Sequence, residues 1–109
     1  MATTRAIVTL PPPASPGDVV ELRVLVSHPM ETGYRRDADG RMLPRDLIRR
    51  FRCRCDGETV IEAELHAAVA ANPYLAFWLQ VGDGPGQLEF EWEGDKGFAH
   101  RETRTLSRR

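Results

Sequence analysis

Cys53 and Cys55 carry the most reactive side chains in the sequence, and they stand two positions apart among Arg49, Arg50, Arg52 and Arg54. Neighbouring guanidinium groups favour a thiolate, so an accessible sulfur here would act as a nucleophile or redox thiol. On a β-strand both side chains leave the same face, with Cα atoms about 6.5–7 Å apart, at or beyond the usual reach of a disulfide. Three readings stay open: two small buried hydrophobes, a redox thiol, or an interchain disulfide. A structural zinc site needs four ligands, and a second cysteine pair is missing. His28, His66 and His100 lack the close spacing of a metal-binding pair, so only tertiary convergence would give them a metal or base role. Ser27 and His28 are adjacent, which on a strand points their side chains apart. No catalytic triad and no cofactor-binding motif emerges. The glycines at 82, 84 and 86 lack the spacing and the following helix of a phosphate loop.

The elements that must position these residues read as strands. Val20, Leu22, Val24 and Val26 share one face, with Glu21, Arg23 and Leu25 on the other; Phe51, Cys53 and Cys55, then Ile61, Ala63 and Leu65, then Leu88, Phe90 and Trp92 alternate with polar neighbours. A period of two is the mark of a half-buried strand. Met1 to Leu10 reads as the start of another strand. Leu75 to Val81 is apolar on both faces. Turn chemistry divides these runs at Pro11-Pro12-Pro13, Asp37-Ala38-Asp39-Gly40, Asp56-Gly57, Asn72-Pro73 and Gly94-Asp95-Lys96-Gly97. About seven or eight short strands at this spacing predict an all-β, immunoglobulin-like antiparallel β-sandwich over residues 1–109, with residues 1–3 and 107–109 frayed. Glu62 to Ala71 is rich in alanine, but Asn72-Pro73 argues against a helix there. A strand to Leu65 followed by an irregular stretch is expected. Glu89, Glu91 and Glu93 form an acidic ladder, and Arg50, Arg52 and Arg54 its basic counterpart. Neighbouring strands would pair them across a solvated face, or the two lobes would steer a partner.

Composition bounds the function from outside. The chain has 109 residues, 41% hydrophobic and 28% charged, with a formal charge of −1. That is one small domain, without the basic excess of a nucleic-acid binder. No apolar run reaches the roughly 18–20 residues that span a bilayer, and Met1 to Leu10 has no secretory h-region. Residues alone therefore place the chain in the cytoplasm.

One stretch is more specific. Ser27-His28-Pro29-Met30-Glu31-Thr32-Gly33 is followed by Asp37-Ala38-Asp39-Gly40, Leu43-Pro44-Arg45 and Ile48-Arg49-Arg50-Phe51, then Cys53, Asn72-Pro73-Tyr74 and Leu88-Glu89-Phe90-Glu91-Trp92. From about Ala14 to Thr105 the chain resembles the SoxZ family of bacterial thiosulfate oxidation. The resemblance implies an immunoglobulin-like sandwich and a non-catalytic scaffold that forms a heterodimer with SoxY. SoxY carries the sulfur-bearing cysteine on a glycine-flanked arm. Through that complex the partners would be SoxAX, SoxB and a sulfane dehydrogenase. The resemblance also implies the periplasm, reached by export together with SoxY, against the cytoplasmic reading above. Cys55 departs from the family pattern, which has a cysteine only at the position of Cys53.

Two surfaces are candidates for the partner. Trp78 and Ala76 lie opposite Leu75, Phe77 and Leu79, and only one set can fill the core. Trp78 is therefore an interface candidate, as aromatic residues often anchor interfaces. The loop from His28 to Arg36 is the second, through Pro29, Met30 and Tyr34. A homodimer is open for the chain when isolated. A thiol redox protein using Cys53 and Cys55 and a generic immunoglobulin-like binding module are the competing expectations.

Overall fold

The computed structural model describes residues 5–66 and 71–109. Among the described residues seven strands are formed: β1 (Ala6–Thr9), β2 (Val19–Val26), β3 (Ile48–Cys55), β4 (Glu58–Glu64), β5 (Tyr74–Gln80), β6 (Gln87–Gly94) and β7 (Ala99–Thr105). They make two antiparallel sheets, β1-β2-β5 and β4-β3-β6-β7. The alternation in sequence becomes the two-layer fold directly, because one set of each strand's side chains faces the other sheet. Leu22, Val24 and Val26 from β2, with Phe77 and Leu79 from β5, meet Phe51 and Cys53 from β3 and Leu88, Phe90 and Trp92 from β6. Phe51 is the hub. Its ring centroid lies 5.2 Å from Trp92, 6.0 Å from Phe77 across the sandwich and 6.5 Å from Phe90.

The turns do what their residues allow. Asp56 and Gly57 have φ of 51° and 84°, the pair of positive values that a two-residue hairpin between β3 and β4 requires. The Asp56 carboxylate then accepts hydrogen bonds from the backbone N–H groups of Gly86 (3.1 Å) and Gln87 (2.8 Å), tying that hairpin to the start of β6. Gly94 is needed for space: a Cβ there would stand 2.3 Å from the carbonyl oxygen of Leu47.

One expectation changes. The chain end at residues 107–109 is tied to the fold. β7 runs to Thr105, Leu106 is buried, and Ala14 exchanges backbone hydrogen bonds with Ser107 and Arg109 at 3.1 Å. β7 shows no apolar alternation in sequence because it is a sheet edge whose half-buried positions are His100, Glu102 and Arg104. Of the two apolar faces of Leu75–Val81, the one carrying Phe77 and Leu79 is buried, while Trp78 on the other is 67% exposed. Residues 1–3 and most of the irregular stretch expected after Leu65 lie outside the described residues.

Candidate partner interface

The outer faces of the two sheets are chemically opposite. On the four-stranded sheet, β3 presents Arg50, Arg52 and Arg54 directly across from Glu93, Glu91 and Glu89 of β6. On its other side β3 meets Glu64 and Glu62 of β4. Arg50 reaches Glu93 at 2.9 Å and Glu62 at 3.3 Å, while Arg54 lies 3.5 Å from Glu91 and Arg101 pairs with Glu89. The hydrogen bond from Arg50 holds the Glu93 carboxyl below the usual carboxylate range. The ladders seen in sequence thus neutralise one another across the strands. Among the described residues, the arginine and glutamate rows of this face interleave across β4, β3 and β6.

The outer face of β1-β2-β5 is largely apolar. Ile7, Leu25 and Tyr74 form one row across the three strands, and Trp78 sits beside Glu21. Ile7, Val19, Tyr74 and Trp78 are between 55% and 67% exposed. A groove of ≈ 390 Å³ runs beside Trp78, with Leu10, Pro11, Pro12 and Val19 among its walls. The charged residues in this face are Glu21 and Arg23, which pair with each other at 2.6 Å. Exposed aromatic and aliphatic side chains gathered on one sheet are the composition of a protein-binding patch.

Of the expected interface residues, Trp78 and Tyr34 are exposed, Tyr34 by 83%. Pro29 is exposed as well. Met30 is not: it is buried in the core, and its Sδ accepts a hydrogen bond from the N–H of Ile48 at 3.2 Å. It fills the mouth of the sandwich rather than a partner. The loop start is stapled beside β5, because the N–H of His28 donates to Asn72 Oδ1 (2.9 Å) and the N–H of Asn72 donates to the His28 carbonyl (2.7 Å). Trp78 lies about 13 Å along β5 from Tyr74, the end nearest that staple.

A polar cluster that sequence spacing did not show anchors the rest of this loop. Asp95 accepts from the N–H of Leu47 (3.1 Å) and pairs with Arg49 (2.9 Å) and Arg45 (3.2 Å). Arg49 is the main cause that holds the Asp95 carboxyl low. The signal was a single acidic residue in a glycine turn, which nothing in sequence links to arginines nearly fifty positions earlier.

The cysteines are both free thiols. Cys53 is fully buried, and burial followed by the neighbouring Cys55 pushes its pKa up to about 12. Cys55 is half-buried and also raised, by burial and by Asp56. The arginines expected to favour a thiolate fail to do so for a simple reason. Alternation sends Arg50, Arg52 and Arg54 to the outer face and the sulfurs inward. Among the described residues, no group of three or more His, Cys, Asp and Glu side chains converges as metal ligands, and no helix is long and apolar enough to cross a membrane.

The architecture is that of an immunoglobulin-like sandwich with one salt-bridged face and one apolar face. The family described as Sulphur oxidation protein SoxZ matches residues 8–105, and the chain belongs to that family. Two structures of superoxide reductase (neelaredoxin) from Ignicoccus hospitalis share the fold. Each is 14% identical, with TM-scores of 0.67 and 0.65. The alignments cover 95% and 99% of this chain and 79% and 81% of those chains. At that identity the likeness is one of fold alone. No curated protein matches the chain by sequence.

Proposed function

We propose that this chain is the non-catalytic scaffold of a sulfur carrier, binding a SoxY subunit and helping present its cysteine arm to the thiosulfate-oxidising enzymes. Membership of the SoxZ family supports involvement in sulfur oxidation. The observation that carries the binding role is the exposed Trp78, set in an apolar sheet face whose charges are already paired. Such a surface gains free energy when another protein removes it from water. The thiols supply no competing chemistry of comparable strength, because both are held protonated. SoxAX, SoxB and a sulfane dehydrogenase then meet the complex rather than this chain alone, in the periplasm, after export together with SoxY.

Co-expression with a SoxY chain tests this reading. A stable one-to-one complex by light scattering, weakened about tenfold or more by Trp78→Ala, is expected. A chain that ignores SoxY at micromolar concentration overturns it. Export is tested separately: expressed without SoxY, the chain should stay in the cytoplasm, and its appearance in the periplasm would end the passenger idea.

A further inference from the structure

In a constant-type immunoglobulin sandwich the fourth strand covers the edge of the fifth. Here β4 pairs with β3 in the opposite sheet, and β5 ends the β1-β2-β5 sheet with no strand beside it among the described residues. The ladder shows which groups this leaves open. The carbonyls of Pro73 and Val81 accept from Val26 and Gly17, and the N–H of Val81 donates to Asp18, so the odd-numbered residues of β5 bond toward β2. Antiparallel pairing alternates. The N–H and C=O groups of Tyr74, Ala76, Trp78 and Gln80 therefore point off the free edge.

Edge strands are normally guarded by charge, proline or short length. β4 carries Glu58, Glu62 and Glu64, β7 carries Arg101, Glu102 and Arg104, and β1 is four residues long with three prolines following Leu10. β5 has none of these protections. Its seven residues, Tyr-Leu-Ala-Phe-Trp-Leu-Gln, contain no charge, no proline and no glycine. A strand of this composition would be an aggregation hazard if left open.

We propose that the β5 edge is a strand-addition site, and that in the isolated chain it takes the β5 of a second copy, antiparallel about a two-fold axis near Phe77. The strand is complementary to itself in that register. Tyr74 faces Gln80, Leu75 faces Leu79, and the large Trp78 falls beside the small Ala76 of the other copy. No like charges oppose one another on β5, whereas pairing two β4 edges would bring glutamates together. The product is a continuous six-stranded sheet in which both copies' outer faces lie on one side. This inference needs only the chain itself and goes beyond the reading of SoxY as partner.

Light scattering over a dilution series, with site-resolved amide exchange, tests it. The expected result is a mass approaching twice 12.3 kDa as concentration rises, with exchange at the N–H groups of Ala76 and Trp78 slowing in step. Ala76→Pro removes one free donor without touching the β2 ladder and should give a monomer. Trp78→Lys, which adds a guard charge, should do the same and covers the case in which the proline variant fails to fold. A wild-type chain that is monomeric throughout overturns the proposal. So does a dimer that persists in a folded edge variant. Neither result depends on whether SoxY binds.

Discussion

Nδ1 of His28 accepts a hydrogen bond from the backbone N–H of Met30 at 3.0 Å, and the imidazole is 96% buried. An accepting Nδ1 must be unprotonated, which leaves the ring proton on Nε2, 3.5 Å from Asp46 Oδ1. The ring also packs edge-on to Phe98, with centroids 4.7 Å apart. One neutral side chain thus joins the loop after β2 to the turn before β7. It also allows Met30, at a φ of 51°, to turn its side chain inward.

Acid should loosen this junction. Burial lowers the His28 pKa below its ordinary value, against the opposing pull of Asp46. Between the folded and unfolded values the unfolded chain binds a proton that the folded one does not, so stability falls as pH drops. The contribution is complete above about pH 6.5 and is lost as pH falls through the folded value. Urea titrations should show declining stability below about pH 6.5, before the carboxylates of Glu31, Glu93, Asp95 and Glu102, held below the usual range by hydrogen bonds to their basic partners, take up protons in more acidic solution. His28→Gln should start about 1–3 kcal/mol lower and lose less over the same window. An identical slope in both proteins would remove His28 as the cause.

Adjacent residues on β5 should behave oppositely. Phe77 is buried against Phe51, and Phe77→Ala should cost about 3–5 kcal/mol. Trp78 faces outward, and Trp78→Ala should change the stability of the monomeric chain by no more than about 0.5 kcal/mol. Chemical denaturation of the two variants at low protein concentration checks the pair.

The thiols should differ in reactivity and both should be slow. Iodoacetamide at neutral pH should label Cys55 first and Cys53 only after unfolding, because Cys53 has no exposed surface and a pKa of about 12. Peptide mass spectrometry without prior reduction gives the order. Rapid labelling of Cys53 in the folded chain would revive the redox reading.

Two substitutions test the turns. Asp56→Ala removes the acceptor for the Gly86 and Gln87 amides and should cost about 1–3 kcal/mol. Gly94→Ala forces a methyl group against the Leu47 carbonyl and the Ile48 backbone, and should cost about 3 kcal/mol or abolish folding. Thermal melts of both proteins report the losses.

Much of this molecule is legible in its sequence alone. The alternations at Val20–Val26, Phe51–Cys55 and Leu88–Trp92 predicted strands and their buried faces, because a period of two admits one arrangement on a sheet. The arginine and glutamate ladders were each legible as a one-sided row for the same reason, but that β6 lies beside β3 and pairs them was decided by the fold. The residues of the SoxZ resemblance pointed to the family that the comparison confirms. Other features depended on contacts that local pattern does not encode. Trp78 and Phe77 are both large and apolar, and only the seating of β5 on β2 decided which faced water. Met30 looked like a loop contact until a positive φ turned it into the core. Asp95 found its arginines through long-range packing. The open edge of β5 exists because β4 crossed to the other sheet, a choice of partner strand made by the whole fold and not by either segment.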